Sequence, residues 1–162
     1  MKACIKGVAE DVKAGDIQEV CIDFDRILLA TDGSEPAVLA TQYAVTLAKT
    51  YGASILAIYV DDGVEALQLP EETEGDDAWE GTHPSVRGLG LAKLMAERND
   101  VPVEVKIIRG GVAKRIIKTA TETKADLIVL GETGRTGLKR LGMGSIAETV
   151  IKGSETPVLV IK

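Results

Sequence analysis

The stretch richest in chemical potential is Leu127 to Ser145, LIVLGETGRTGLKRLGMGS. A short apolar run leads straight into Gly131, glycines recur at Gly134, Gly137, Gly142 and Gly144, and a helical segment begins at Ser145. A strand, a glycine-rich loop and a helix start together have the design of a phosphate cradle. Glycine lets the backbone approach a ligand closely and adopt positive φ. The first turn of a helix offers N–H groups without intrahelical partners and carries partial positive charge. Arg135, Lys139 and Arg140 add cationic charge, and no acid occurs between Arg135 and Ser145. No Gly-Lys-Ser/Thr closes the loop, so it is not a Walker A loop. The competing reading is a connection whose glycines serve only tight turns.

Other chemistry-bearing residues are sparse. His83 is the only histidine, which leaves no Ser-His-Asp set. It precedes Pro84 and reads as a solvated loop residue. Cys4 and Cys21 read as two free thiols rather than a disulfide framework, and with a single His no zinc site is expected. Nine of the 25 acids fall between Asp61 and Glu80 without a Lys or Arg, leaving 16 acids against 19 bases elsewhere. This cluster lacks the spacing of a calcium-binding loop, and residues 61–84 read as a mobile, solvated loop. Trp79 within it is a candidate cover for a nearby pocket. In the glycine loop Glu132 is the one candidate general base.

The elements that must position these residues follow from periodicity. Four short apolar runs, Arg26–Ala30, Ser54–Val60, Asp126–Leu130 and Pro157–Ile161, are nearly continuous, as in strands buried on both faces of a parallel sheet. A fifth, Val101–Ile108, alternates apolar residues with Glu104 and Lys106 and suits a strand nearer an edge. Ser34 and Pro36 open a helix lined by Ala37, Ala40, Ala44 and Ala48 and closed by Gly52. Further helices are expected over Ser85–Arg98, from Gly111, and from Ser145 to Gly153, the last with a Ser145–Glu148 capping box. The order β-α-β-α-β-α-β-α-β predicts an α/β fold with three layers, α/β/α, around a five-stranded parallel sheet. Ligands bind such sheets at the carboxyl ends of the strands, near the switch point. That directs attention to the loops after Ala30, Val60 and Leu130. Val20–Asp23 is a weaker strand candidate within an N-terminal extension, 1–24, ahead of the main domain, 25–162.

The spacing Gly131, two residues, Gly134, nine residues, Gly144, Ser145 resembles the glycine pattern of the universal stress protein family. ILLATDGSE (Ile27–Glu35) resembles that family's first strand and turn, and DLIVLGETGRTG and ETPVLVIK its fourth strand, loop and fifth strand. The resemblance implies a Rossmann-like fold that binds an adenine nucleotide, ATP or AMP, with Mg²⁺, and a homodimer formed through the C-terminal strand. It further implies that Asp32 meets the ribose, that Ala30 and Thr31 flank the adenosine, and that the Val60 backbone meets adenine. Gly131, Gly134, Gly144 and Ser145 would hold the phosphates, with Arg135 and Ile146 close by. A carboxylate can accept two ribose hydroxyl hydrogen bonds, although Asp32 could instead serve its own turn. Two departures stand out. Glu132 and Thr133 replace the Ser and His common in members, and GGVAKRI (Gly110–Ile116) lacks their Pro and acid.

Composition narrows the functional class. Aromatics make up 3% of the chain, too few for a base-stacking sheet, and no dense basic stripe suggests a nucleic-acid partner. No apolar run reaches the ~20 residues that span a bilayer, and Met1–Gly15 lacks the apolar segment of a signal peptide. The expectation is a cytoplasmic, nucleotide-binding regulatory protein of the stress-response type with an unidentified protein partner. A weak Mg²⁺-dependent ATPase using Glu132 or Asp32, and a nucleotide-free interaction module, are the alternatives.

Overall fold

The structure, a computed structural model, describes residues 4–5, 20–63, 83–134 and 143–162. Two short strands, β1 (Cys4–Ile5) and β2 (Val20–Cys21), pair antiparallel with Cys4 opposite Cys21. The rest alternates: β3 (Arg26–Ala30), α1 (Glu35–Tyr51), β4 (Ser54–Asp61), α2 (Pro84–Glu97), β5 (Val103–Arg109), α3 (Val112–Thr123), β6 (Leu127–Gly131), α4 (Ser145–Gly153) and β7 (Val158–Ile161). β3 to β7 form the expected five-stranded parallel sheet, in the order β5-β4-β3-β6-β7.

The burial of each strand follows its place in that order. Ile27, Leu28 and Leu29 of central β3 are fully buried, and β6 is buried through Leu127–Leu130. β5 is an edge, and Glu104, Val105 and Lys106 are exposed there. Alternate strand residues feed two cores. Ile27, Leu29, Ile55, Ala57, Tyr59, Leu127 and Val129 pack with α1 and α2. Leu28, Leu56, Ile58, Ile128 and Leu130 pack with Ile116 and Ala120 of α3 and Ala147 and Val150 of α4.

α1 forms as its ends and its inner face dictate. The Ser34 hydroxyl accepts from Ala37 N, Pro36 sits in the first turn, and Gly52 closes the helix at φ 72°. Its alanine stripe is buried, so the helix lies close on the sheet. α2 begins one residue earlier than the periodicity predicts, because His83 is its N-cap. His83 Nδ1 accepts from Ser85 N and lies 2.8 Å from Ser85 Oγ, and its ring stands edge-on to Tyr59. The solvated-loop expectation for His83 is therefore corrected: the ring is half-buried and structural. Asp61 likewise belongs to β4 rather than to a solvated loop. It is 7% exposed, accepts from Gly63 N and lies 3.4 Å from Arg109 Nε. Most of the acidic segment, residues 64–82 with Trp79, lies outside the described residues.

The packing of α2 sets the turn that carries Asp32. A side chain at Gly88 would begin 2.8 Å from Thr31 Oγ1 and 2.9 Å from Gly33 N. Replacing an exposed helical Gly by Ala ordinarily stabilises by about 0.5–1 kcal/mol. Here the sign reverses: we expect Gly88→Ala to lower the thermal midpoint, as read by calorimetry, because a backbone neighbour must move. A raised midpoint would mean that the two elements can separate without cost.

Candidate functional site

The switch point, where sheets of this kind have their ligand crevice, lies at the carboxyl ends of β3 and β6, neighbours whose connections leave in opposite directions. On the α3–α4 face, Ala30, Val60, Ile108, Val112 and Ala113 are partly buried apolar residues. Ala30 is the last residue of β3, and Val60 and Ile108 are the next-to-last residues of β4 and β5, with Val60 opposite Ile108.

Asp32 follows β3 directly. Its Oδ1 accepts from Ser34 N at 3.0 Å, so one oxygen does hold the turn. Its Oδ2 faces Gly134, 3.0 Å from where a side chain there would begin. The turn bond thus uses Oδ1. Thr31 differs from its neighbours. Its side chain is buried beside Gly88, its N–H goes to Ile58 O, and Oγ1 accepts from Gly33 N. Facing α2, it has only backbone to offer the crevice.

The motif glycines are sites of close approach. A side chain at Gly131 would begin 2.9 Å from the Pro36 carbonyl carbon, and one at Gly144 would begin 2.7 Å from Glu132 O. Gly144 N donates to that same oxygen at 3.0 Å, stapling the two ends of the loop. Residues 135–142, with Arg135, Gly137, Lys139, Arg140 and Gly142, lie outside the described residues.

The start of α4 corrects one expectation. Gly144, not Ser145, is the N-cap, and no side chain caps the helix. The capping box does not form. Glu148 binds Lys152 instead, and that hydrogen bond and positive charge hold its carboxyl below the ordinary carboxylate value. Glu148 N makes the first helical bond, to Gly144 O, so the N–H groups of Ser145, Ile146 and Ala147 precede the hydrogen-bonded helix. Ser145 beside them is exposed, and N–H groups at a helix start are in general able to meet an anion.

A match to the family profile described as the universal stress protein family covers residues 23–162. The chain belongs to the universal stress protein family. Universal stress protein MJ0531 of Methanocaldococcus jannaschii is 38% identical over 144 residues, covering 86% of this chain and 82% of its own. The solved structure of MJ0577, from the same organism, shares the fold with a TM-score of 0.69 at 25% identity, over 87% of this chain and 97% of that one. A universal stress protein solved in complex with cAMP matches with a TM-score of 0.65 at 22% identity, over 86% of this chain and 98% of that one.

Within this universal stress protein fold, the departures acquire places. Glu132, whose side chain is 22% exposed, has Oε1 3.9 Å from Lys162 Nζ at the end of β7. Its negative charge is partly offset by that amine. The segment without Pro or acid begins α3 behind Gly111, again with no side-chain cap. Sequence reasoning missed Gly33, Gly88 and Asp61. A glycine inside a helical pattern, as at Gly88, was the available signal of close packing.

Among the described residues no three His, Cys, Asp or Glu side chains converge, and no helix is long and apolar enough to cross a membrane.

Proposed function

We propose that the protein binds an adenine nucleotide, ATP or AMP, across the β3–β6 switch point and acts as a regulatory module of the stress-response type. The observation that carries this reading is the uncapped start of α4 set beside the Asp32–Gly134 contact. Asp32 Oδ2 accepts from ribose hydroxyls, and the Val60 and Ala30 backbone meets the adenosine, with Thr31 contributing main chain. The backbone at Gly131, Gly134 and Gly144, the Ser145 hydroxyl and the N–H of Ile146 take the phosphates, with Arg135 as countercharge. The apolar wall suits a base, and the fold is one that holds cAMP in the solved relative. Mg²⁺ would arrive with the triphosphate, because this ion keeps water and leans on phosphate oxygens plus one or two carboxylates. A cytoplasmic homodimer through β7, an edge strand with half-buried Val158, Leu159 and Val160, would present the bound state to a protein partner.

Calorimetric titration with ATP and AMP, with and without Mg²⁺, tests the reading. Micromolar binding, about −8 kcal/mol, that weakens in Ser145→Ala is the expected result. A folded wild type that binds neither nucleotide would overturn it and favour a nucleotide-free interaction module. Gly144→Val is not a clean probe, because its side chain meets Glu132 O before any ligand. Phosphate release that vanishes in Glu132→Gln would instead assign an ATPase.

A further inference from the structure

We infer that Arg115 reads the base of the bound nucleotide, its Nε–H donating to a ring nitrogen of the purine. The inference rests on the nucleotide-binding reading above and extends it to a specificity residue.

Three observations converge. First, Arg115 Nε is buried and has no hydrogen-bond partner among the described residues. A buried donor left without a partner is costly, and native proteins rarely tolerate one without a ligand or water to satisfy it. Second, its placement is built. Gly110 sits at φ +130°, and the Arg115 Cγ and Cδ lie 3.2 Å from where a side chain at 110 would begin. The stem therefore folds back over the β5–α3 turn, the direction helical side chains take. Gly110 N donates to Asp61 O, which ties this turn to the end of β4, directly after Val60. Val60 and Ile108 form the apolar wall beside it, and Val112 and Ala113 of the same turn complete that wall. Third, the helix itself does not want this charge. Lys114 and Arg115 fall at the start of α3, where the macrodipole disfavours cations, and no acid occupies that first turn. Neither residue takes part in an ion pair among the described residues. Asp61, at the end of the adjoining strand β4, is engaged by Arg109. An acceptor from outside the chain answers all three.

A purine fits better than a second phosphate because the wall beside the turn, Val60, Ile108, Val112 and Ala113, is apolar. Adenine presents acceptors at N1, N3 and N7, and a planar donor at the base's edge supplies direction as well as energy.

The test compares ATP with its 1-deaza, 3-deaza and 7-deaza analogues, each lacking one ring nitrogen, on wild type, Arg115→Met and Arg115→Lys. One analogue is expected to bind wild type about 10- to 100-fold more weakly than ATP, the range for a hydrogen bond from a charged donor. In Arg115→Met that same analogue and ATP should bind alike. Arg115→Lys keeps the charge without the Nε–H and should resemble Met in this discrimination. Circular dichroism and thermal melts confirm that the variants are folded. A flat analogue series in a wild type that binds ATP overturns the role of Arg115 and leaves nucleotide binding standing. A loss that persists unchanged in Arg115→Met also overturns it. A folded wild type that binds neither ATP nor AMP removes both readings together.

Discussion

Replacing Asp32 by Ala is expected to weaken ATP binding by about a hundredfold or more. Two hydrogen bonds from ribose hydroxyls to a carboxylate are each worth about 1.5–3 kcal/mol, and about 1.4 kcal/mol is a factor of ten. The carboxylate also holds Ser34 N through Oδ1, so Ala could act by loosening the turn. Asp32→Asn separates the causes. Its amide oxygen can still accept from Ser34 N, while the charged acceptor facing Gly134 is lost. We expect Asn to keep the melting temperature of wild type but to lose most of the affinity. Nucleotide titration alongside thermal melts reads both quantities. Wild-type affinity in Asp32→Ala would dismiss the ribose role and leave Asp32 a turn residue.

The second large effect concerns stability. Gly33 has φ +72°, and a side chain there would begin 2.6 Å from Pro84 O and 3.3 Å from Gly88 N, both backbone atoms. Gly33→Ala must bear the left-handed conformation, about 1–2 kcal/mol, and also push α2 away from the β3–α1 turn. A total of about 2–4 kcal/mol is expected, or a midpoint lower by roughly 5–15 °C in a domain of this size. Gly52 provides the internal control. It has the same φ of +72°, but nothing lies within 4 Å of its would-be side chain. Gly52→Ala should therefore show the conformational cost alone. Equal losses at the two positions would mean that the α2 contact contributes nothing. A loss confined to Gly33 would make α2 the element that holds the Asp32 turn in place.

Such contacts explain what the motif glycines do. Gly131 lets β6 approach the start of α1, Gly144 lets α4 approach Glu132 O, and Gly134 leaves room for Asp32 Oδ2. A ligand is not the first thing each glycine accommodates. The last of them, Gly144, leads into a helix start that no side chain caps. Glu132, the candidate base of the glycine loop, has Oε1 3.9 Å from Lys162 Nζ.

Much of this architecture was legible in the chain itself. The buried runs at Arg26–Ala30, Ser54–Val60 and Asp126–Leu130 mark strands because both faces of a covered parallel sheet must be apolar. Alternation at Glu104 and Lys106 marks β5 as an edge because one side stays wet. The alanine stripe of α1 marks close packing, and Gly131, Gly134, Gly144 and Ser145 mark the family. These signals are local or periodic, so they survive without knowledge of contacts. Contacts between distant segments do not leave such traces. That Ser145 caps nothing depends on Gly144 being held by Glu132. That His83 is an N-cap against Tyr59 depends on where β4 delivers Tyr59. That Thr31 and Asp32, adjacent in sequence, face opposite sides of the sheet follows from strand alternation carried past the end of β3, with Gly88 and Gly134 as their neighbours. The residue types set the elements and their order; the packing of α2 and α4 against the strand ends decided which atoms face the crevice, because only three-dimensional proximity selects among the partners each polar group could take.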